Sequence, residues 1–318
     1  MDMFKKIFNR ISLVYKEAIS LFSNGWSFGY VMWNFIWWLS WSAKLHKLNK
    51  LATKKKTVYI EKHFLKHYSD IIENYRNAKE STQECSDFKI WIFWGQGKEN
   101  MPNVVKACYK KITENNDNVQ FIDMSNVGDF VEIPNIIYEK LKTGKLLYEH
   151  FSDIVRNSLL AKYGGLWLDA TVYTSGKIPE ITKQCTFFSP HDKSNNTYWV
   201  SYAMGSNKIN SVIFSFVRDI LIAVCIKENI WPEYLLQDHI IDFAHKNIPS
   251  AKLSIDETPE NNTRRFVLFA LMNKPYDNEI YKDLIKDNFI FKLSYKANYK
   301  STSSGQKTFY AQLIENYQ

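Results

Sequence analysis

The sequence predicts an α/β fold behind a basic, tryptophan-rich helical extension, and three observations point there. Residues 90–94 form a short β-branched and aromatic run, Ile90-Trp91-Ile92-Phe93-Trp94, closed by Gly95-Gln96-Gly97, as a buried strand entering a loop would be. A helix-spaced segment and a second strand-like run follow, and that order is the order of a parallel βαβ unit. Farther on, an amphipathic segment stops at Gly164-Gly165 and gives way to another strand-like run. Residues 1–85 make the extension and residues 86–318 the α/β domain.

The extension carries the charge asymmetry. Residues 1–66 hold 12 Lys/Arg against 3 Asp/Glu, which accounts for the whole excess of a chain with net charge +8. A domain built to bind nucleic acid would spread its basic surface over the α/β part, so no nucleic-acid partner is expected. Between Glu17 and Lys44 there is no charged residue, yet Asn34, Ser40 and Ser42 interrupt the aromatic stretch of residues 21–45. A spanning helix needs about 20 mostly apolar residues. Tryptophans flanked by Lys5, Lys6, Arg10, Lys44, Lys47, Lys50 and Lys54-Lys55-Lys56 suit a helix lying in the plane of an anionic leaflet. A helical hairpin packed on the α/β domain and a true span are the competing readings. The opening Met1-Asp2-Met3-Phe4-Lys5-Lys6 shows no signal with a small-residue cleavage site. Residues 57–80 have helical spacing through Tyr59, Ile60, Phe64, Ile71 and Ile72.

In the α/β part, Pro102 opens a helix through Val104, Val105, Cys108 and Ile112, and Val119 to Asp123 is the second strand. Gly95, Gln96 and Asp123 thereby fall at the carboxyl ends of strands, where such sheets bind ligands. No Walker or G-x-G-x-x-G pattern is present, which removes the usual ATPase and dehydrogenase readings. The four cysteines are far apart and make neither a zinc site nor a disulfide framework.

The segment from His150 to Val172 carries the chemistry. Asp153 and Arg156 are three apart and share a helical face. Gly164-Gly165 supplies a left-handed stop, and Leu166 to Val172 is expected as one strand with Trp167, Asp169 and Thr171 on one side. A carboxylate and a guanidinium from the helix then reach the same pocket as Asp169. Paired donors and acceptors suit sugar hydroxyls, and a divalent cation (Mn²⁺ or Mg²⁺) on oxygen ligands would neutralise a diphosphate leaving group. An ordinary surface Asp–Arg pair beside a strand end is the plainer alternative.

The block Ser152-Asp153-x-x-Arg156 … Tyr163-Gly164-Gly165-x-Trp167-x-Asp169, with Ile90 to Gly97 before it, resembles the capsular polysaccharide synthesis proteins. These are relatives of glycosyltransferase family 32 and, more distantly, resemble the clostridial glucosylating toxins. The likeness covers roughly residues 86–300. It implies a GT-A fold, with a Rossmann-like mixed sheet flanked by helices, and retaining transfer of a hexose from a UDP-linked sugar to a glycan or lipid-linked acceptor. By the same resemblance, Asp153 and Arg156 hold the donor sugar, Ser152 lies near the nucleoside, and Trp91 stacks on the base, with Trp94 as its competitor. Gln96 is expected to line the nucleotide site. Asp169 matches the first acid of an Asp-x-Asp metal motif, and Thr171 stands where the second acid would be, so one charge is missing from the metal site.

Trp231 to Asp242 is expected to be helical and to bring Asp238, and less directly His239, to the site. Ile290 to Lys296 resembles a family segment that closes over the diphosphate, which gives Lys292 and Lys296 the task of neutralising it. Ser301 to Gly305 is expected to be a mobile loop or lid. The resulting picture is an enzyme on the inner face of the plasma membrane, in a reducing compartment. A catalytically weak membrane-associated scaffold and a protein-modifying, toxin-like transferase are the alternatives.

Overall fold

The structure is a computed structural model that describes residues 14–315. The basic residues Lys5, Lys6 and Arg10, and the start of the chain expected to lack a signal, lie outside the described residues. A first helix occupies residues 14–23, followed by α1 (Phe28–Ser42) and α2 (His46–His67). The three-residue connection makes these two an antiparallel hairpin: Asn49 donates to the Trp37 carbonyl at 3.1 Å, and Gly29 lies against the Tyr59 ring. The helix expected over 57–80 starts earlier and pauses at Tyr68 before a further turn pair over Ser69–Arg76. No helix among the described residues is long and apolar enough to cross a membrane.

The hairpin is fastened to the α/β part through a buried acid. Glu228 accepts from Trp26 Nε1 at 2.8 Å and from Tyr68 Oη at 2.6 Å, and meets His63 Nε2 at 2.9 Å. A carboxylate taken out of water needs such partners, because an unpaired one costs several kcal/mol. Nearby, Tyr30 donates to the Pro232 carbonyl at 2.8 Å, and Lys56 pairs with Glu233. Leu21, Trp26, Tyr30, Ile60 and Phe64 belong to the same core as Phe151, Phe216 and Phe243. The extension therefore shares one continuous hydrophobic core with the α/β part.

That part contains β1 (Ile90–Phe93), α3 (Asn103–Asn115), β2 (Val119–Ile122), α4 (Tyr148–Tyr163), β3 (Gly165–Leu168), β4 (Val172–Thr174), β5 (Ala203–Ser206), α5 (Val212–Lys227), α6 (Leu236–Asn247) and β6 (Ile290–Lys292). The main sheet has the order β2-β1-β3-β5; β1 runs parallel to β2 and β3, while β5 is antiparallel. Period-two alternation sorts its side chains. Trp91, Phe93, Trp167 and Met204 join the core that contains α4 and α5, whereas Ile90, Ile92, Leu166 and Leu168 join Val105 and Ile112 of α3. Helices thus cover both faces of a mixed sheet, consistent with a GT-A-like arrangement.

The structure differs from three expectations. The run Leu166–Val172 is not one strand. β3 ends at Leu168, and Asp169 to Thr171 form a turn closed by Val172 N–H on the Asp169 carbonyl at 2.8 Å. The chain then enters a second sheet, β4 with β6. Residues 301–305 form a small hairpin, Thr302–Ser303 with Gln306–Lys307, whose corner residues Ser304 and Gly305 both have positive φ, as a tight type I′ turn requires. Residues 231–235, expected within a helix, precede it, since α6 starts at Leu236.

Gly165 is required by geometry twice over. Its φ is +92°, and an added Cβ would sit 2.4 Å from the Lys89 carbonyl oxygen and 2.8 Å from Trp91 Nε1. Both neighbours belong to β1 or its entry, so neither can retreat. Gly165→Ala should lose roughly 3 kcal/mol of unfolding free energy in urea titration, whereas Gly128→Ala, which meets open space, should stay within about 0.5 kcal/mol of wild type.

Candidate active site

The site grows out of the turn that follows β3. α4 ends at Gly164 (φ +67°), and the paired glycines turn β3 back so that its carboxyl end lies beside the middle of α4. Arg156 spans the gap. Its Nη1 donates to Asp153 Oδ1 at 2.9 Å and to Gln237 Oε1 at 2.9 Å, and its Nη2 donates to Asp169 Oδ1 at 3.0 Å. The guanidinium lies 5.0 Å from the centre of the Trp167 ring. Three of the five N–H groups of this arginine are therefore engaged with the protein, and the residue is only 4% exposed. It braces both acids.

Asp169 is also held from the far side. Trp167 Nε1 donates to its Oδ1 at 3.0 Å, and Lys292 Nζ donates to Oδ2 at 2.7 Å and to Thr171 Oγ1 at 2.9 Å. Register fixes that lysine: Lys292 pairs with Val172 across β4 and β6. Asp238, in the first turn of α6, accepts from Trp199 Nε1 at 3.2 Å. Asp153, Arg156, Trp167, Asp169, Thr171, Asp238 and Lys292 line a cleft of about 640 Å³, together with Trp94, Gln96, Ser152, Tyr234 and Lys296. A more open recess of about 790 Å³ adjoins it at Gly95 and Gln96, beside Asp123 at the end of β2.

The three carboxyls are electrically unlike. Burial would raise Asp169, but the Lys292 and Arg156 charges outweigh it and bring its pKa down to about 2. Burial dominates at Asp153, pushing it to about 7 despite Arg156, with Asp238 and Asp169 adding repulsion. Asp238 rises to about 6, again through burial. One firm anion thus sits beside two acids that exchange protons near neutrality, a separation typical of functional clusters.

Residues 41–313 match the family described as capsular polysaccharide synthesis protein. The chain belongs to that family. It is similar to glycosyltransferase afumC of Aspergillus fumigatus, at 28% identity over 117 residues, covering 32% of this chain and 28% of that protein. It is also similar to O-glycosyltransferase braB of Annulohypoxylon truncatum, at 28% identity over 107 residues, covering 30% of this chain and 25% of that protein. The matched stretch thus spans about a quarter of the length of these relatives. A solved structure, the PaToxG glycosyltransferase, overlaps 63% of this chain and 83% of its own at 16% identity and a TM-score of 0.36, too loosely for its side chains to be aligned.

In this family member, Asp153, Arg156, Asp169, Thr171 and Lys292 are brought into direct contact, with Asp238, Ser152 and Gln96 lining the same cleft. Lys296 stands at the rim, 4.0 Å from Glu149 and largely exposed. Trp91 is corrected: it is fully buried, and its Nε1 donates to the Gly164 carbonyl at 2.9 Å. Its odd position in β1 turns the ring toward α4, leaving no face for a base. Trp94, the first residue past the strand, lies in the cleft and meets Tyr295 edge-on at 5.5 Å. His239 turns toward Thr57 of the hairpin instead.

The pair expected to hold a divalent cation, Asp169 and Thr171, does not fit one. A lysine ammonium bridges the two side chains, and the other oxygen of Asp169 is taken by Arg156 and Trp167. No group of three or more His, Cys, Asp or Glu with metal-binding geometry exists among the described residues. A divalent ion within about 4 Å of that ammonium would meet about 8 kcal/mol of repulsion at an effective dielectric of about 20.

Sequence reasoning missed Gln237 and Trp199. Gln237 is 1% exposed and accepts from both Arg156 and Asn157; a buried amide beside an expected site acid was the available signal. Nothing local in the sequence marks Trp199.

The raised acid gives a signed pH effect. Asp153 keeps its proton to about pH 7 when folded but releases it near 4 when unfolded. The folded state binds more protons between those values, so this group lowers stability as pH rises from 4 to 7. Asp153→Asn should therefore melt above wild type at pH 8, with the margin shrinking as pH falls and vanishing at about pH 4. A variant whose deficit grows with pH would contradict that assignment.

Proposed function

We propose that this chain is a retaining glycosyltransferase that moves a hexose from a nucleotide sugar, UDP-linked, to a glycan or lipid-linked oligosaccharide in capsule or surface-polysaccharide synthesis. The observation that carries the reading is the cleft at the carboxyl end of the sheet, where Asp153, Arg156, Asp169 and Lys292 form one hydrogen-bonded array. Membership of the family and the similarity to two proteins named as glycosyltransferases support it. Asp153 faces the sugar hydroxyls, braced by Arg156. Lys292 and Lys296 meet the diphosphate, while Trp94 and Ser152 flank the path to the recess at Gly95 and Gln96, which takes the nucleoside.

Transfer breaks the bond from the anomeric carbon to the diphosphate oxygen and forms one from that carbon to the acceptor oxygen. The acceptor proton passes to the departing diphosphate, on the face where it leaves. Cationic groups aimed at the leaving oxygen lower the barrier because charge develops there. Asp238, close to half-protonated near pH 6, is the residue to test for a covalent adduct. Hydrolysis of a panel of nucleotide sugars should reveal one preferred donor, and Asp153→Ala and Asp169→Ala should each lower turnover at least 100-fold. Full turnover in both variants would refute the site, and absence of saturable donor binding would favour the scaffold.

The setting we propose is the inner face of the plasma membrane. α1 exposes Phe28 (70%), Met32 (38%) and Leu39 (41%) along one side, and Lys44, Lys47, Lys50, Lys54 and Lys55 follow exposed on the turn and α2. Each such lysine is worth about 1 kcal/mol near an anionic leaflet. The protein should cosediment with phosphatidylglycerol vesicles far more than with phosphatidylcholine, and Phe28→Glu with Leu39→Glu should release it. Equal recovery with both lipids would rule this placement out.

A further inference from the structure

We propose that Lys292 takes the place of the divalent cation, so that nucleotide binding at this cleft needs no metal. The inference rests on the nucleotide-sugar reading and goes beyond it by naming what meets the diphosphate. Three observations carry it.

First, the ammonium is built into position. β6 pairs with β4 so that Lys292 lies opposite Val172, and the Leu293 N–H bonds the Thr171 carbonyl at 3.0 Å. The Lys292 N–H bonds the Arg265 carbonyl at 3.1 Å, and its Nζ stands 5.0 Å over the Tyr202 ring. The side chain is 25% exposed, screened from water on its flanks and open toward the cleft.

Second, the oxygen atoms that would ligate a cation are already committed. Asp169 Oδ2 and Thr171 Oγ1 both accept from this ammonium, and Asp169 Oδ1 accepts from Arg156 and Trp167. A metal taking these oxygens would first have to displace the ammonium from both of them.

Third, the one firmly ionised acid is already neutralised. Asp169 is held low against burial by Lys292 and Arg156, which both bond it, whereas burial lifts Asp153 and Asp238 toward neutrality. A site that binds a hard divalent cation needs free anionic oxygen ligands, and the Asp169 carboxylate is committed to two cations. The ammonium has three N–H donors: two are used on Asp169 and Thr171, and one remains for a phosphate oxygen.

The test is calorimetric titration of UDP, GDP, CDP and dTDP into the full chain, once after chelation with excess EDTA and once with Mn²⁺ added. One nucleotide should bind with dissociation constants within about twofold of each other in the two buffers. Lys292→Met, checked for folding by its melting curve, should weaken that binding at least tenfold in EDTA, and Lys292→Arg should restore most of it. Binding by the wild type only with Mn²⁺, or at least tenfold tighter with it, would overturn this proposal and leave the nucleotide-sugar reading standing. Lys292→Met binding as wild type in EDTA would overturn it as well. No binding of any nucleotide in either buffer would defeat both. The wild-type comparison stands even if the variants fail to fold.

Discussion

One buried guanidinium organises this protein. Arg156 is sunk between Asp153 on its own helix and Asp169 beyond the next strand, and neither contact is possible unless the chain reverses sharply between them. The reversal belongs to Gly164 and Gly165, whose positive φ angles and crowded surroundings exclude side chains. Because the charge is buried, it tolerates no loss of partners: an arginine left unpaired in a core costs several kcal/mol. The fold and the site are therefore held by the same contacts. Gln237 extends the dependence to α6, so the helix bearing Asp238 is registered against α4 by one amide oxygen that receives both Arg156 and Asn157.

Three aspartates in one cleft behave differently because the cations are distributed unevenly. Asp169 is reached by both Lys292 and Arg156, while Asp153 has only one guanidinium hydrogen bond and two acidic neighbours. The outcome is a fixed anion that anchors the cations and two titrating acids facing the space a ligand would fill. Such poising costs folding energy at neutral pH, as expected where a site is kept for binding rather than for stability.

Much of this was legible in the chain. The βαβ start followed from the β-branched run at 90–93 and from Pro102, and the meeting of Asp153, Arg156 and Asp169 followed from helical spacing plus a glycine pair. What stayed hidden depended on long-range pairing. Whether Leu166 to Val172 is one strand or two is decided by β6, more than a hundred residues later, which captures Val172–Thr174 and makes Asp169 a corner. Trp91 and Trp94 are both aromatic and three apart; only the strand's exit point and the position of α4 reveal that the first is core and the second faces the cleft. The double hydrogen bond of Lys292 was invisible for the same reason, since a lysine in an edge-strand pattern is ordinarily solvated.

The hairpin of α1 and α2 is fastened to the segment that leads into the cleft. Its fastening residues do not grip the sheet; they grip Glu228, Pro232 and Glu233, the segment that leaves α5 and leads to Tyr234, Leu235 and Asp238 at the cleft. Trp26, Tyr30, Lys56, His63 and Tyr68 thus bear on the connection that sets where α6 begins. A force applied to the outer face of α1 is transmitted by buried, paired charges, which resist displacement more than apolar contacts do, because any lost partner exposes an unsatisfied ion. The geometry of the cleft's α6 wall is consequently a property of the extension as well as of the sheet.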